Sequence, residues 1–278
     1  MSRTLETEFT LPATANFIRT GNGTPVVLIH GIAASHHDWD DLVPVLSGAG
    51  YECYALDLLG HGDSPKPASR AYQMDWLLEH FHGWMRSLHL TEPAILIGHS
   101  LGGYLALEYA RRVSAWTRGL VLVNPLYSLS QLPALLRRTY RRPRLSSFIV
   151  GRTPGWMFRL IVEMTSLAMG HSSGALHSLP ERVRAQTALD YTRTSPGVYN
   201  VINNALDLNG NLASISSPAL VVWGLADRFV GAPHLARWKR ELPHARFLEL
   251  DRVGHFPQDE AAADVVEGVR LFLDRYSA

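Results

Sequence analysis

The chain has 278 residues, 46% of them hydrophobic and 18% charged, with a formal net charge of +1. That composition suits a globular chain with one large domain or two small ones, and it excludes a disordered chain, which carries fewer apolar residues and more net charge. A lone cysteine, Cys53, excludes an intramolecular disulfide framework. No apolar run reaches the ~18 residues of a membrane span, and the opening MSRTLETEFT lacks the basic start and apolar core of a signal peptide, so the expected location is cytoplasmic.

Taken in chain order, Pro25 to Ile29 is a continuous apolar run closed by His30-Gly31, as expected of a buried parallel strand. Asp40 to Leu46 reads as a helix ended by Gly48-Ala49-Gly50, and Tyr51 to Leu56 as a second strand leading into the turn-rich DLLGHGDSPKP. Tyr72 to Leu88 is helical. Ala94 to Ile97 is a third strand, followed at once by a helix on which Leu101, Leu105, Tyr109 and Val113 step by four, and Leu120 to Val123 is a fourth strand. This alternation predicts an α/β fold with a mostly parallel sheet flanked by helices.

The rhythm breaks between Pro125 and Gly210, where the patterns are helical. Pro133 is expected to start a helix that Pro143 stops, with Leu132, Leu135, Leu136 and Tyr140 apolar and Arg137, Arg138, Arg141 and Arg142 opposite. Thr153-Pro154 opens a second, carrying Trp156, Met157, Leu160, Ile161, Met164 and Leu167. Ser178 and Glu181 have capping-box spacing for a third, and Ser195-Pro196 opens a fourth. Strand and helix then alternate again: Ala219 to Trp223, a helix from Pro233, Arg246 to Leu250, and a closing helix with Val265, Val266, Val269, Phe272 and Leu273 on one face. Residues 1–125 and 211–278 are thus expected to form one core domain, with 126–210 a helical insertion.

Gly98-His99-Ser100-Leu101-Gly102 lies directly after a buried strand and directly before a helix. A serine on such a tight strand-to-helix turn is a nucleophile elbow, and its glycine neighbours allow strand and helix backbones to pass closely. A serine hydroxyl needs a base, and the base an orienting acid. In the order nucleophile, acid, base, Asp227 follows the strand ending at Trp223, and His255 follows the strand ending at Leu250. Taken alone, Asp227 is equally a solvated acid or a partner of Arg228, and His255 equally a surface or capping histidine; their order and strand positions favour the triad. The N–H groups of Leu101 and of Ile32, or Ala33 one residue on, are candidate oxyanion donors.

Together, His30-Gly31, the Asp57 to Ser64 turn, Gly98 to Gly103, Gly224-x-x-Asp227 and Gly254-His255-Phe256-Pro257 resemble the α/β-hydrolase superfamily. The resemblance spans roughly 20–125 and 211–278. It implies Ser100, Asp227 and His255 as a catalytic triad and makes the helical insertion a cap that sets substrate choice. Haloalkane dehalogenases and epoxide hydrolases share these motifs with an aspartate nucleophile, so Ser100 argues against both. The expected activity is hydrolysis of carboxylic esters with apolar groups, without a cofactor. Lipase, thioester and carbon–carbon bond hydrolysis, or a low-turnover receptor, are alternatives on the same motifs. The expected pocket includes His99, Phe256 and the cap residues Trp156, Met157 and Leu160, whose stripe serves equally to bury the cap on the core.

Two clusters, His36 to Asp41 and Asp57-x-x-x-His61-x-Asp63, hold ligand-type side chains, but helix capping and a structural turn account for them better than metal. Cys53 reads as a small core residue, and no phosphate-binding glycine motif is present. Charge is uneven. No acidic residue lies between Glu108 and Glu163, a stretch with ten arginines, so the rest of the chain sums to −9. A solvated face is the simplest account; contact with an anionic membrane surface or an acidic partner is the alternative, and nucleic acid is disfavoured because no reading motif accompanies the charge.

Overall fold

A computed structural model describes residues 14–276 apart from 69–71, 133, 135–136, 139–142, 174–175, 205–206, 209–210 and 232–233. Its strands are β1 (Phe17–Thr20), β2 (Thr24–Ile29), β3 (Tyr51–Leu56), β4 (Ala94–His99), β5 (Thr117–Val123), β6 (Ala219–Gly224) and β7 (Arg246–Leu250). They form one sheet in the order β1-β3-β2-β4-β5-β6-β7, parallel except for β1 against β3. The helices are α1 (Val43–Gly48), α2 (Met74–Ser87), α3 (Leu101–Arg112), α4 (Pro143–Val150), α5 (Gly155–Ser173), α6 (Glu181–Arg193), α7 (Leu235–Glu241), α8 (Pro257–Glu260) and α9 (Ala262–Tyr276).

The central strands β2, β4 and β6 are almost continuously apolar and buried because both faces of the sheet are covered. Along β2, Val27 and Ile29 join one core with Leu96, Leu122, Phe81, Trp84, Tyr104 and Trp238, beneath α2, α3 and α7. Their neighbours Val26 and Leu28 join the other core with Ile97, Val123, Trp39, Leu46, Val269 and Phe272, beneath α1 and α9. The period of two splits each strand between the two layers. Cys53 is buried in the second core, and burial pushes its thiol up to about 12. The chain adds β3 to one side of β2 and β4 to the other. The loops after β2 and β4 therefore diverge at the carboxyl edge, where open sheets of this kind hold their ligands.

Several elements differ from the sequence pattern. β1 escapes it because it is short and mostly exposed, an edge strand held by ladder bonds and an Arg19–Glu52 ion pair. The helix expected from Asp40 to Leu46 begins only at Val43, as α1, after a 3-10 turn at His36–Trp39 and a turn at 40–42, since Pro44 favours the helix's first turn. Pro143 opens α4, its missing N–H costing nothing in a first turn; the helix expected to end there lies mostly outside the described residues. Ser178 caps nothing. The residue before α6 is Pro180, and the Ser178 N–H instead donates to the Ser166 carbonyl on α5 at 3.0 Å. Pro196–Asn204 is a 3-10 helix.

Among the described residues, every secondary-structure element between β5 and β6 is a helix. α6 joins this segment to the core through exposed Arg182–Asp41 and Arg193–Asp63 ion pairs, and through a buried bond from the Ser35 hydroxyl to Asp190 at 2.9 Å. Exposed pairs of this kind contribute little each, so the buried bond is the more specific tie.

Candidate active site

Ser100 ends β4 in a left-handed conformation, φ 50° and ψ −109°, which costs roughly 1–3 kcal/mol and is held by its surroundings. Its N–H donates to the Val123 carbonyl and its own carbonyl accepts from Leu126, both at 3.0 Å, so the turn is stitched to the end of β5. The glycines around it are dictated by contact. A Cβ on Gly98 would lie 2.4 Å from the Gly102 carbonyl oxygen, and one on Gly102 would lie 2.0 Å from that of Ile29.

The loops after β6 and β7 bring two side chains to this turn. His255 Nε2 lies 3.2 Å from Ser100 Oγ, and His255 Nδ1 lies 2.8 Å from Asp227 Oδ2. The other carboxylate oxygen of Asp227 accepts main-chain N–H bonds from Phe229 at 2.6 Å and Val230 at 3.1 Å. Burial opposes the charged form of Asp227, but His255 beside it and these two donors outweigh that, and its pKa falls below the ordinary aspartate value. The carboxylate therefore stays ionised and faces Nδ1 of the ring, and the tautomer that donates to it from Nδ1 presents Nε2 as an acceptor to the serine.

Three further side chains hold this arrangement. Asn124, buried at the end of β5 with φ 38°, accepts from Gly224 N–H at 2.9 Å and donates to the Gly254 carbonyl at 2.8 Å, joining the loops that carry Asp227 and His255. Glu260 accepts from Gly254 N–H at 2.8 Å and Phe256 N–H at 3.1 Å, on either side of His255. His99 Nε2 donates to the His255 carbonyl at 2.8 Å. Its Nδ1 lies 3.4 Å from Asp38 Oδ2, and that oxygen also accepts from Gly31 N–H at 3.3 Å. Asn124 acts on main chain 100 and 130 residues away, and Glu260 and Asp38 act on loop N–H groups four to seven residues away in irregular turns, so no regular pattern marks them; Asn-Pro at 124–125 reads only as a strand end.

A cavity of about 320 Å³ opens at Ser100 and is lined by Gly31 to Ala34, His99, Leu101, Leu126, Leu132, Phe229, Val230, His255 and Phe256, with Ile161, Tyr191, Tyr199 and Ile202 from the helical segment. His99 and Phe256 lie at this cavity. Trp156, Met157 and Leu160 do not line it; they are exposed to solvent, because α5 turns Phe158, Val162 and Ser166 inward instead. Of that stripe only Ile161 reaches the cavity. Leu101 opens α3, whose first N–H groups have no intrahelical acceptor, and Ile32 precedes Ala33, held at φ 59°. A second hollow of about 370 Å³, between α2 and α3, shares no residue with this cavity.

The other ligand-type cluster is occupied by protein donors. Asp57 accepts from the Asn16 amide, His36 N–H and ring, and Asp63 N–H, and these bonds and the neighbouring histidines outweigh burial and keep its pKa low. A Cβ on Gly62 would strike this carboxylate at 2.2 Å, so the turn closes around Asp57.

Residues 24–262 match the family model of the α/β hydrolase fold. The chain belongs to this family. A lipase of a Moraxella species is 23% identical across 91% of this chain and 78% of its own length. A cis-3-alkyl-4-alkyloxetan-2-one decarboxylase of Shewanella oneidensis is 24% identical across 93% of this chain and 84% of its own. Among solved structures, an esterase of Thermogutta terrifontis superposes with a TM-score of 0.79 at 22% identity, covering 95% of this chain and 94% of that one. The family model carries the assignment, and the proteins similar to this chain include ones named as a lipase and an esterase. No helix among the described residues is long and apolar enough to cross a membrane.

Proposed function

We propose that this α/β hydrolase cleaves carboxylic esters of neutral, apolar acids through a covalent acyl-serine intermediate. The observation that carries the reading is the Asp227–His255–Ser100 chain of hydrogen bonds ending at an apolar cavity. Ser100 Oγ attacks the ester carbonyl while His255 Nε2 takes its proton, and the same imidazolium then protonates the leaving alcohol. Asp227 holds the tautomer with the proton on Nδ1 and stabilises the imidazolium. Leu101 and Ile32 N–H groups receive the oxyanion; one such donor is worth about a hundred- to a thousandfold in rate. Water, activated by His255, then releases the acid. In this reading residues 126–210 form a cap whose Ile161, Tyr191, Tyr199 and Ile202 close the cavity.

The preference for a neutral acyl group follows from the lining, which among the described residues contains no lysine or arginine. A substrate carboxylate placed there would lose its hydration without gaining a counter-charge. The named activities of the Moraxella lipase and the Thermogutta esterase are compatible with this reading. The test is a panel of p-nitrophenyl esters of rising acyl length, run on the wild type and on Ser100→Ala. The expected result is an optimum at medium chain length and a loss of roughly a millionfold in kcat for the variant. Equal turnover by the two proteins contradicts the assignment.

A further inference from the structure

The helical segment presents an apolar face that the catalytic reading leaves unused. Phe148 and Ile149 on α4 and Trp156, Met157, Leu160 and Met164 on α5 stand in solvent, Trp156 at 67% and Met164 at 57% exposure. On α5 these positions recur at helical spacing opposite the inward Phe158 and Val162, so they form one stripe rather than scattered exposures. Single exposed apolar residues are ordinary, whereas a stripe spanning two turns and the adjoining helix marks a contact surface.

Beside this stripe Arg159 is neutralised by Glu163 and Glu181, which leaves Arg152 as an unpaired cation among the described residues. Of the ten arginines between Glu108 and Glu163, Arg111, Arg112, Arg118 and Arg159 are paired with Glu108, Glu92, Glu163 and Glu181. Arg137, Arg138 and Arg152 have no acidic partner among the described residues. Arg152 stands exposed between the two helices, its guanidinium 3.9 Å from the centre of the Phe148 ring.

We propose that this face of α4 and α5 docks on an anionic lipid surface, with the aromatic and aliphatic side chains in the acyl boundary and Arg152 at the headgroups. Large apolar side chains flanked by an unpaired arginine match the two demands of such a boundary. A second copy of the chain fits less well, because a twofold contact sets each patch against itself and brings Arg152 toward its own copy. Ile161 belongs to the exposed stripe and also to the wall of the Ser100 cavity. Docking therefore sets that wall beside the lipid, where esters of apolar acids concentrate. Only this last consequence rests on the proposed ester chemistry.

The test is co-sedimentation of the full chain with vesicles of phosphatidylcholine alone or mixed with phosphatidylglycerol, at low and high salt. The expected result is binding to the phosphatidylglycerol vesicles that weakens with salt. Trp156→Ser with Leu160→Ser should reduce partitioning at least about tenfold. Arg152→Glu should reduce it by at least about fivefold. Unchanged turnover of a soluble ester and an unchanged circular dichroism spectrum establish that these variants fold. Ser100→Ala should bind as the wild type does, which separates docking from catalysis. The proposal is overturned if the wild type stays in the supernatant at low salt, binds both lipids equally, or binds as well after the Trp156 and Leu160 changes. It is equally overturned by a stable dimer in analytical ultracentrifugation that the same two changes dissociate, which would assign the face to a second copy.

Discussion

His99 Nε2 donates a hydrogen bond to the main-chain carbonyl of His255 at 2.8 Å, so the residue before Ser100 and the loop carrying its proposed base are fixed to each other. The ring of His99 also lies 5.4 Å from that of Phe256, so packing and hydrogen bonding hold the loop from one side. His99→Phe keeps an aromatic ring and removes the bond. The expected outcome in steady-state kinetics on a soluble ester is a fall of about tenfold in kcat with KM little changed, the size of one lost hydrogen bond felt at the position of the base. A variant with wild-type kcat removes His99 from the positioning of His255.

Asn124 offers a stability test. Its amide bridges Gly224 N–H and the Gly254 carbonyl, and Asn124→Ala leaves both main-chain groups buried without a partner. Urea unfolding should show a loss of about 2–4 kcal/mol, together with lower turnover because the Asp227 and His255 loops lose their common anchor.

Glu260 is expected to act through geometry. Glu260→Ala strands the N–H groups of Gly254 and Phe256 and should lower kcat by about 10- to 100-fold. Glu260→Gln keeps one acceptor oxygen and should recover part of that loss. Equal kinetics for wild type and Glu260→Ala would remove Glu260 from the positioning of His255.

Asp190 carries a pH dependence of known sign. Burial, reinforced by nearby Asp38, lifts its carboxyl to about 6, despite bonds from Ser35 and Gln186. The folded state therefore binds this proton more tightly than the unfolded chain does. Its contribution to stability falls as pH rises from the ordinary aspartate value through about 6, and above that the buried charge is a standing cost. Asp190→Asn should leave thermal stability nearly unchanged at about pH 4 and raise it by about 1–2 kcal/mol at about pH 8. Equal effects at both pH values contradict this.

The parts legible in the sequence are those written in local pattern. Strand ends after Ile29, Val123 and Trp223 follow from apolar runs closed by turn residues, and Gly98 and Gly102 betray a close strand-to-helix passage whatever lies around it. Hence Ser100, Asp227 and His255 can be named together from the chain alone, and in the structure they stand in hydrogen-bonding sequence. Asn124, Glu260 and Asp38 are not legible, because they act on main-chain groups, Asn124 on a distant one and the other two across irregular loop turns, and accepting from a main-chain N–H imposes no residue pattern on its surroundings. Trp156 shows another limit. Helical spacing tells which residues of α5 share a face but not which way the face turns, and the inward side is the one with Phe158 and Val162. β1 is hidden because an exposed edge strand needs no apolar alternation.

The most direct test of the central claim is to trap the acyl-serine. Incubation with a fluorophosphonate ester, followed by intact-mass and peptide mass spectrometry, should give one stoichiometric adduct on the peptide carrying Ser100, loss of esterase activity in proportion, and no adduct on Ser100→Ala. Esterase activity that survives full reaction with the reagent, or an adduct on another residue that tracks the loss of activity, would contradict the assignment.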